Sequence, residues 1–183
     1  DVETKQLVER IHTEKRARVS HTKQPAAPAQ IDQEGPTNLP LQIGPFFDRE
    51  EDIAAILERF TSPHCRLLTI TGPGGVGKTT LAIQVARQIA AHFRHGICFV
   101  PLASINTSTY LASTIGDRLK LAPPGRYSQR EQLINYLREK ELLLVLDSFE
   151  HLLGEAQLVL EMITTAPRLK VLVTSRQCLN FRI

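Results

Sequence analysis

Residues 72–79 read Gly72-Pro73-Gly74-Gly75-Val76-Gly77-Lys78-Thr79. This spacing, GxxxxGK(S/T), suits the capture of a phosphate chain. The glycines let the backbone take conformations that side chains forbid. Such a loop turns its N–H groups inward around an anion. Lys78 supplies a point charge for the β- and γ-phosphates, and the Thr79 hydroxyl is a hard oxygen suited to Mg²⁺. Residues Gly72 to Thr79, with Thr80 behind them, are therefore candidate nucleotide contacts.

The flanks support the reading. Leu67-Leu68-Thr69-Ile70-Thr71 reads as a short buried strand. Behind the loop, Leu81, Ala82, Val85, Ala86, Ile89 and Ala90 recur at helical spacing. A helix N-terminus attracts anions, so strand, glycine loop and helix is the order this chemistry needs. The alternative is an ordinary Gly-rich turn between strand and helix. The Lys-Thr pair and both flanks argue against it.

A second group of residues is placed to act on the phosphates. Leu142 to Leu146 form an apolar run that ends in Asp147. A carboxylate at the C-terminal end of a buried strand sits where open α/β sheets bind ligands. This is the Walker B arrangement, and there Asp147 holds Mg²⁺ opposite Thr79. Hydrolysis also needs a group to orient water, and the position after Asp147 is Ser148 rather than an acid. Glu150 is the candidate substitute and His151 a weaker one. The alternative for both is a charged helix start. Thr174-Ser175-Arg176 ends a further strand. If that strand lies beside the strand at 67–71 that enters the glycine loop, or P-loop, Thr174 or Ser175 senses the γ-phosphate and Arg176 contacts it as a cation. The alternative for Arg176 is a surface arginine.

The elements that must position these residues follow from the pattern. Ile53, Ile56, Leu57 and Phe60 mark an amphipathic helix, opened by an expected capping box of Asp48 and Glu51. Strands are expected at 67–71, 96–100, 141–147 and 170–174. Helices are expected behind the P-loop, over about 108–120, from Ser128 with a second capping box to Glu131, and over 152–165. Alternating strands and helices predict an α/β fold, a parallel sheet with helices on both faces.

Ahead of this a charged helix is expected over 2–18. A stretch over 22–45 follows that holds Pro25, Pro28, Pro36, Pro40 and Pro45 and reads as a linker. The chain opens on Asp1 and stops at Ile183, shortly after a strand expected inside the domain, and we therefore expect a piece of a longer protein.

Composition bounds the function. The 183 residues suffice for one α/β domain, and 42% of them are hydrophobic. A net charge of +3 is too mild to argue for nucleic acid or a membrane surface. Cys65, Cys98 and Cys178 show neither zinc spacing nor a disulfide framework. Reduced, mostly buried thiols and a cytoplasmic location are expected. No apolar run has transmembrane length and no signal peptide is visible.

In order, FFDREED, CRLLTITGPGGVGKTTLA, CFVPLA, LLLVLDSFEHLL and LKVLVTSRQ resemble one family. This is the nucleotide-binding domain of signal-transduction ATPases with numerous domains (STAND), close to the NB-ARC type, in the form found in large bacterial transcriptional regulators. The resemblance covers about residues 38–181. It implies a P-loop NTPase fold of the ASCE or AAA-like kind, with strand order 2-3-4-1 and a fifth strand and further lobes beyond Ile183. It implies ATP/ADP and Mg²⁺ as cofactors. The family's Phe-aliphatic-Gly-Arg-Glu motif falls on Phe46 to Glu50, which assigns Phe47 and Arg49 to the nucleotide; Asp48 stands where the family has Gly. Residues 1–11 are similar to the closing helix of the bacterial transcriptional activator domain of SARP-type regulators.

The expected organisation is the end of an activator-type helical domain at 1–21, a Pro-rich linker at 22–45 and an incomplete ATPase core at 46–183. The expected function is an ATP/ADP switch that hydrolyses slowly, with Asp147, Glu150 and Arg176 in the catalytic roles. It self-associates in the ATP state and meets DNA only through a domain outside this chain. The rival expectation is a dedicated P-loop enzyme, a motor ATPase or a nucleotide kinase. A motor should keep an acid beside Asp147 and a kinase an Arg-rich lid.

Overall fold

The computed structural model describes residues 35–41, 49–105, 110–123 and 125–179. These all fall in one compact unit, residues 32–183. The helix expected over 2–18, most of the Pro-rich stretch and Phe46-Phe47-Asp48 lie outside the described residues.

Four parallel strands form one sheet: β1 (Leu67–Thr71), β2 (Ile97–Pro101), β3 (Leu143–Asp147) and β4 (Lys170–Ser175), in the spatial order β1-β4-β3-β2. This is the expected 2-3-4-1 read from the other edge. β4 lies between the P-loop strand and β3, with Ile70 opposite Thr174 and Leu146 opposite Val173. The loops that follow β1, β3 and β4 therefore meet at one sheet end.

Helices cover both faces, as the doubly apolar β3 requires. Successive side chains of a strand point to opposite faces. Leu143 and Val145 pack with α1 (Glu50–Thr61) and α2 (Lys78–Gln88) through Ile53, Phe60, Leu81 and Val85. Leu144 and Leu146 pack with α3 (Leu111–Arg118), α4 (Gln129–Leu137) and α5 (Ala156–Thr165) through Leu111, Ile115, Leu133, Leu137 and Met162. Leu143 to Leu146 are fully buried. Each of these contributes about 1.5–3 kcal/mol relative to exposure. A polar residue at any of the four would break the centre of the sheet.

Element ends explain most departures from expectation. α4 opens on the capping box expected at Ser128 and Glu131, and both reciprocal bonds are present. α1 begins one residue later than expected. Its N-cap is Arg49, without a side-chain cap bond; the Asp48 of the expected capping box lies outside the described residues. Three acids in its first turn, Glu50, Glu51 and Asp52, complement the helix dipole. α3 stops early because Lys120 turns left-handed (φ 57°). The Leu121 amide then reaches the Gly116 carbonyl at 2.9 Å and the Lys120 amide the Asp117 carbonyl at 3.1 Å. This Schellman pairing satisfies the last carbonyls of the helix. Before α5, residues 149–155 form two short 3₁₀ turns rather than the start of a long helix.

Residues 35–41, read from their prolines as the end of a linker, are docked on the outer edge of β2. Thr37 makes a parallel bridge to Ile97, and the Pro36 carbonyl accepts from the Ile97 amide at 3.1 Å. Asn38 brackets Phe99: its Nδ2 donates to the Phe99 carbonyl at 2.9 Å, and its Oδ1 accepts from the Phe99 amide at 2.6 Å. A side chain thus replaces the backbone ladder that prolines cannot complete. Gly96 (φ 77°) makes the approach possible, since a Cβ there would meet the Pro36 carbonyl oxygen at 1.9 Å.

The thiols divide differently from expectation. Cys98 is buried, Cys65 half-buried and Cys178 exposed, all free. Burial pushes the Cys98 thiol up to about 12, despite the nearby Arg118 charge. Among the described residues no helix is long and apolar enough to cross a membrane.

Candidate nucleotide site

The chain leaves β1 at Thr71 and turns through the glycine loop into α2, whose N-cap is Gly77. Gly75 and Gly77 both stand at φ 81°, a left-handed conformation costly for any side chain. Their position turns the chain back so that α2 starts at Lys78. The Lys78 ammonium folds over the loop and donates to the carbonyls of Gly72 at 2.9 Å and Pro73 at 2.8 Å. Val76 packs toward Gly72, where an added Cβ would lie 3.3 Å from Val76 Cγ2. Thr80 follows in the first turn of α2.

Thr79 faces β3. Its Oγ1 donates to Asp147 Oδ1 at 2.6 Å. Thr174, at the end of β4, donates to the same oxygen at 2.6 Å. The Thr174 hydroxyl also accepts from the Ser148 amide at 2.9 Å. Asp147 is 7% exposed, and two hydroxyl donors compensate its burial. Of the two hydroxyls considered as phosphate sensors, the structure brings Thr174 to the carboxylate. Ser175 is buried, and its Oγ accepts from the Gln177 amide at 3.1 Å, which closes the turn after β4.

Ser148 is left-handed (φ 64°, ψ 55°), an unusual state for a residue other than Gly. The turn is held by the Thr174 bond and sends the chain into the short 3₁₀ turn Phe149–His151. Phe149 is buried in the core and His151 is exposed. Glu150 is half-buried and forms an ion pair with Arg176, Oε1 to Nε at 3.1 Å. The Arg176 guanidinium lies against the loop, 3.6–3.9 Å from where a Cβ on Gly74 would stand.

A cleft of about 500 Å³ opens on the other side of the loop, between α1 and β1. Arg49, Asp52, Ala55, Ile56 and Arg59 form its helical wall, while Gly72, Pro73, Val76 and Lys78 form its end at the glycine loop. Arg49 also pairs with Asp52 at 3.8 Å. Asp147, Glu150 and Arg176 are not in this wall; they gather on the β3–β4 side. The fold therefore brings Gly72 to Thr79, Asp147, Glu150, Thr174 and Arg176 to one sheet end, with Arg49 at the cleft. Phe47 lies outside the described residues.

Sequence reasoning did not assign the cleft-facing Asp52, Ala55 and Arg59. Their spacing with Ile56 matches one helical face, but that face carries mixed polarity. Only the partner it packs beside marks it as a pocket wall.

Comparison with known proteins bears on the family and the fold. The sequence profile of the NB-ARC domain matches residues 49–178. Over 114 residues the chain is 45% identical to a Mycobacterium tuberculosis protein provisionally named an HTH-type transcriptional regulator; the match covers 61% of this chain and 13% of that protein. It is 32% identical over 158 residues to the transcription activator GutR of Bacillus subtilis, covering 76% of this chain and 18% of GutR. The chain thus spans less than a fifth of either relative. Among solved structures, Cdc6p of Pyrobaculum aerophilum superposes with a TM-score of 0.55 at 18% identity, over 78% of this chain and 42% of that one. ORC2 of Aeropyrum pernix gives 0.54 at 18% identity, over 69% and 40%. These two likenesses concern the fold, an α/β P-loop NTPase. With its profile matched from Arg49 to Cys178, the chain belongs to the NB-ARC domain family.

Proposed function

We propose that this domain is an ATP/ADP-binding switch that controls a bacterial transcriptional regulator, and that it hydrolyses ATP slowly. The observation that carries the reading is the joint placement of Lys78 on the glycine loop with Thr79 and Thr174 on Asp147. A loop that wraps phosphates, a cation for their charge and a carboxylate with a hydroxyl beside it are the parts that bind a nucleoside triphosphate. The proteins named as transcriptional regulators supply the context for the output.

Mg²⁺ fits the residues present. Thr79 Oγ1 and Asp147 Oδ1 are hard oxygens 2.6 Å apart, the donor type this ion prefers. When bound, Mg²⁺ would neutralise charge on the β- and γ-phosphoryl oxygens, held by Thr79 and Asp147. The chain's own residues do the rest in this reading. The loop amides and Lys78 bind the phosphates. Arg49 and the α1 wall flank the remainder of the nucleotide in the cleft. Thr174 holds the Asp147 carboxylate in place. Glu150 is the group assigned to orient water, and Arg176 is the cation assigned to the terminal phosphate.

In the same reading residues 1–21 close a preceding helical domain, 22–45 connect it, with residues 35–41 laid along the edge of β2, and 46–183 form the nucleotide-binding core. DNA is met only by a domain outside the chain, and the protein works in the cytoplasm. The ADP state is closed and monomeric; the ATP state self-associates. Light scattering of full-length protein with ADP, and with a non-hydrolysable ATP analogue, tests this. A larger mass with the analogue alone supports the switch. Equal masses in both states, despite nucleotide binding, remove it.

A further inference from the structure

We infer that Glu150 is an internal stand-in for the terminal phosphate, occupying Arg176 until a triphosphate takes its place. The inference rests on the nucleotide-binding reading above and adds a regulatory contact within that same site.

Three observations carry it. First, the two side chains are paired at 3.1 Å although they come from different loops, one after β3 and one after β4. Second, the Arg176 guanidinium lies against Gly74 of the glycine loop, so the pair borders the loop that would hold phosphates. Third, the pair is lopsided. Arg176 is 65% exposed whereas Glu150 is 24% exposed, and the second oxygen of Glu150, Oε2, is buried with no hydrogen-bond partner among the described residues. One ion pair leaves this carboxylate incompletely satisfied, and a turn opened by the departure of Arg176 would let water reach its second oxygen. Arg176 has a planar fork of donors suited equally to carboxylate and to phosphate oxygens. A terminal phosphate brings more negative charge and more acceptor oxygens than Oε1 alone, so it wins the exchange.

The backbone favours this role. Ser148 is held left-handed by Thr174, which fixes the course of the turn that carries Glu150. The carboxylate is therefore positioned by the end of β4, the strand that also carries Arg176 into the site. When Arg176 leaves for a phosphate, Glu150 is freed beside the loop, where a water-orienting carboxylate would be required. A diphosphate lacks the group that draws Arg176 away, so the pair persists. Glu150 thus both weakens ATP binding and restricts its own release to the triphosphate state.

A double-mutant cycle tests the inference, with ATP-analogue and ADP affinities measured by calorimetry on full-length protein. Glu150→Gln keeps the size of the side chain and removes its charge. It should tighten binding of a non-hydrolysable ATP analogue by roughly fivefold, the upper range of a partly exposed ion pair, and change ADP affinity less than twofold. In an Arg176→Ala background the same substitution should change ATP-analogue affinity less than twofold. An undiminished effect of Glu150→Gln without Arg176 overturns the inference, because the carboxylate would then act by direct repulsion. An unchanged ratio of ATP-analogue to ADP affinity in Glu150→Gln also overturns it, while leaving nucleotide binding intact. Wild-type protein that binds neither nucleotide removes the nucleotide reading itself, and the exchange with it.

Discussion

Thr79 at the start of α2 and Asp147 at the end of β3 share a hydrogen bond of 2.6 Å across 68 residues of sequence. Two segments with no local relation are thereby fixed at one sheet end. The same Asp147 oxygen accepts from Thr174, so a helix and two strands converge on one carboxylate.

Lys78→Ala should abolish or greatly weaken nucleotide binding and leave the fold in place. Among the described residues Lys78 bonds to the loop carbonyls of Gly72 and Pro73, and the core beneath it is built by Leu81, Val85 and the strands. Losing a charge-assisted contact costs about 1.5–3 kcal/mol, or roughly ten- to 150-fold in affinity. Titration with a fluorescent ATP analogue, alongside far-UV circular dichroism, checks both halves. Unchanged affinity would remove the P-loop reading.

Asp147→Asn should lose the Mg²⁺ dependence of ATP binding more than it loses ADP binding. The amide keeps an oxygen to accept from Thr79 and Thr174, so packing is preserved, but the charge that would hold the ion is gone. Calorimetry with and without Mg²⁺ separates the cases. Equal, metal-insensitive losses for both nucleotides would assign Asp147 a structural role.

Turnover should be slow, below the ~1 per second low end of common enzymes. Ser148 stands where a motor ATPase keeps an acid, and the Ser148 amide is already committed to Thr174. Glu150→Gln should slow it further and prolong the ATP-bound assembly. Phosphate release at tens per second from wild type would favour a motor instead.

Asn38→Ala should loosen the edge of β2. Two hydrogen bonds to Phe99 are lost, and the exposed edge regains unpaired backbone groups. A cost of about 1–3 kcal/mol is expected. Hydrogen exchange of the peptide spanning Ile97–Pro101 should accelerate. Protection equal to wild type would mean that the docked segment contributes nothing to this edge.

Thiol labelling at pH 8 should separate the cysteines. Cys178 is exposed and should react at once. Cys98, with its thiol raised to about 12 by burial, should stay unreactive until the protein unfolds. Mass spectrometry of labelled peptides reads this directly, and early labelling of Cys98 would contradict its place in the core.

Local chemistry made much of the fold legible. The glycine loop forms because Gly75 and Gly77 take left-handed angles that other residues resist, so its identity was written in eight consecutive residues. β3 was legible because a run buried on both faces has no polar alternation. The Ser128 cap was legible because its partner is three residues away. What the tertiary structure alone decided involves residues far apart in the chain. Thr174 and Ser175 are adjacent and both hydroxylic, and only the pleat of β4 beside β3 sends one to Asp147 and the other to its own turn. The prolines of residues 36–40 signalled a linker, because the bracket from Asn38 depends on the edge of a strand 61 residues away. Glu150 and Arg176 were legible as separate charges. Their pairing required the left-handed turn at Ser148, and that turn is held by a hydroxyl from a neighbouring strand that local sequence does not contain.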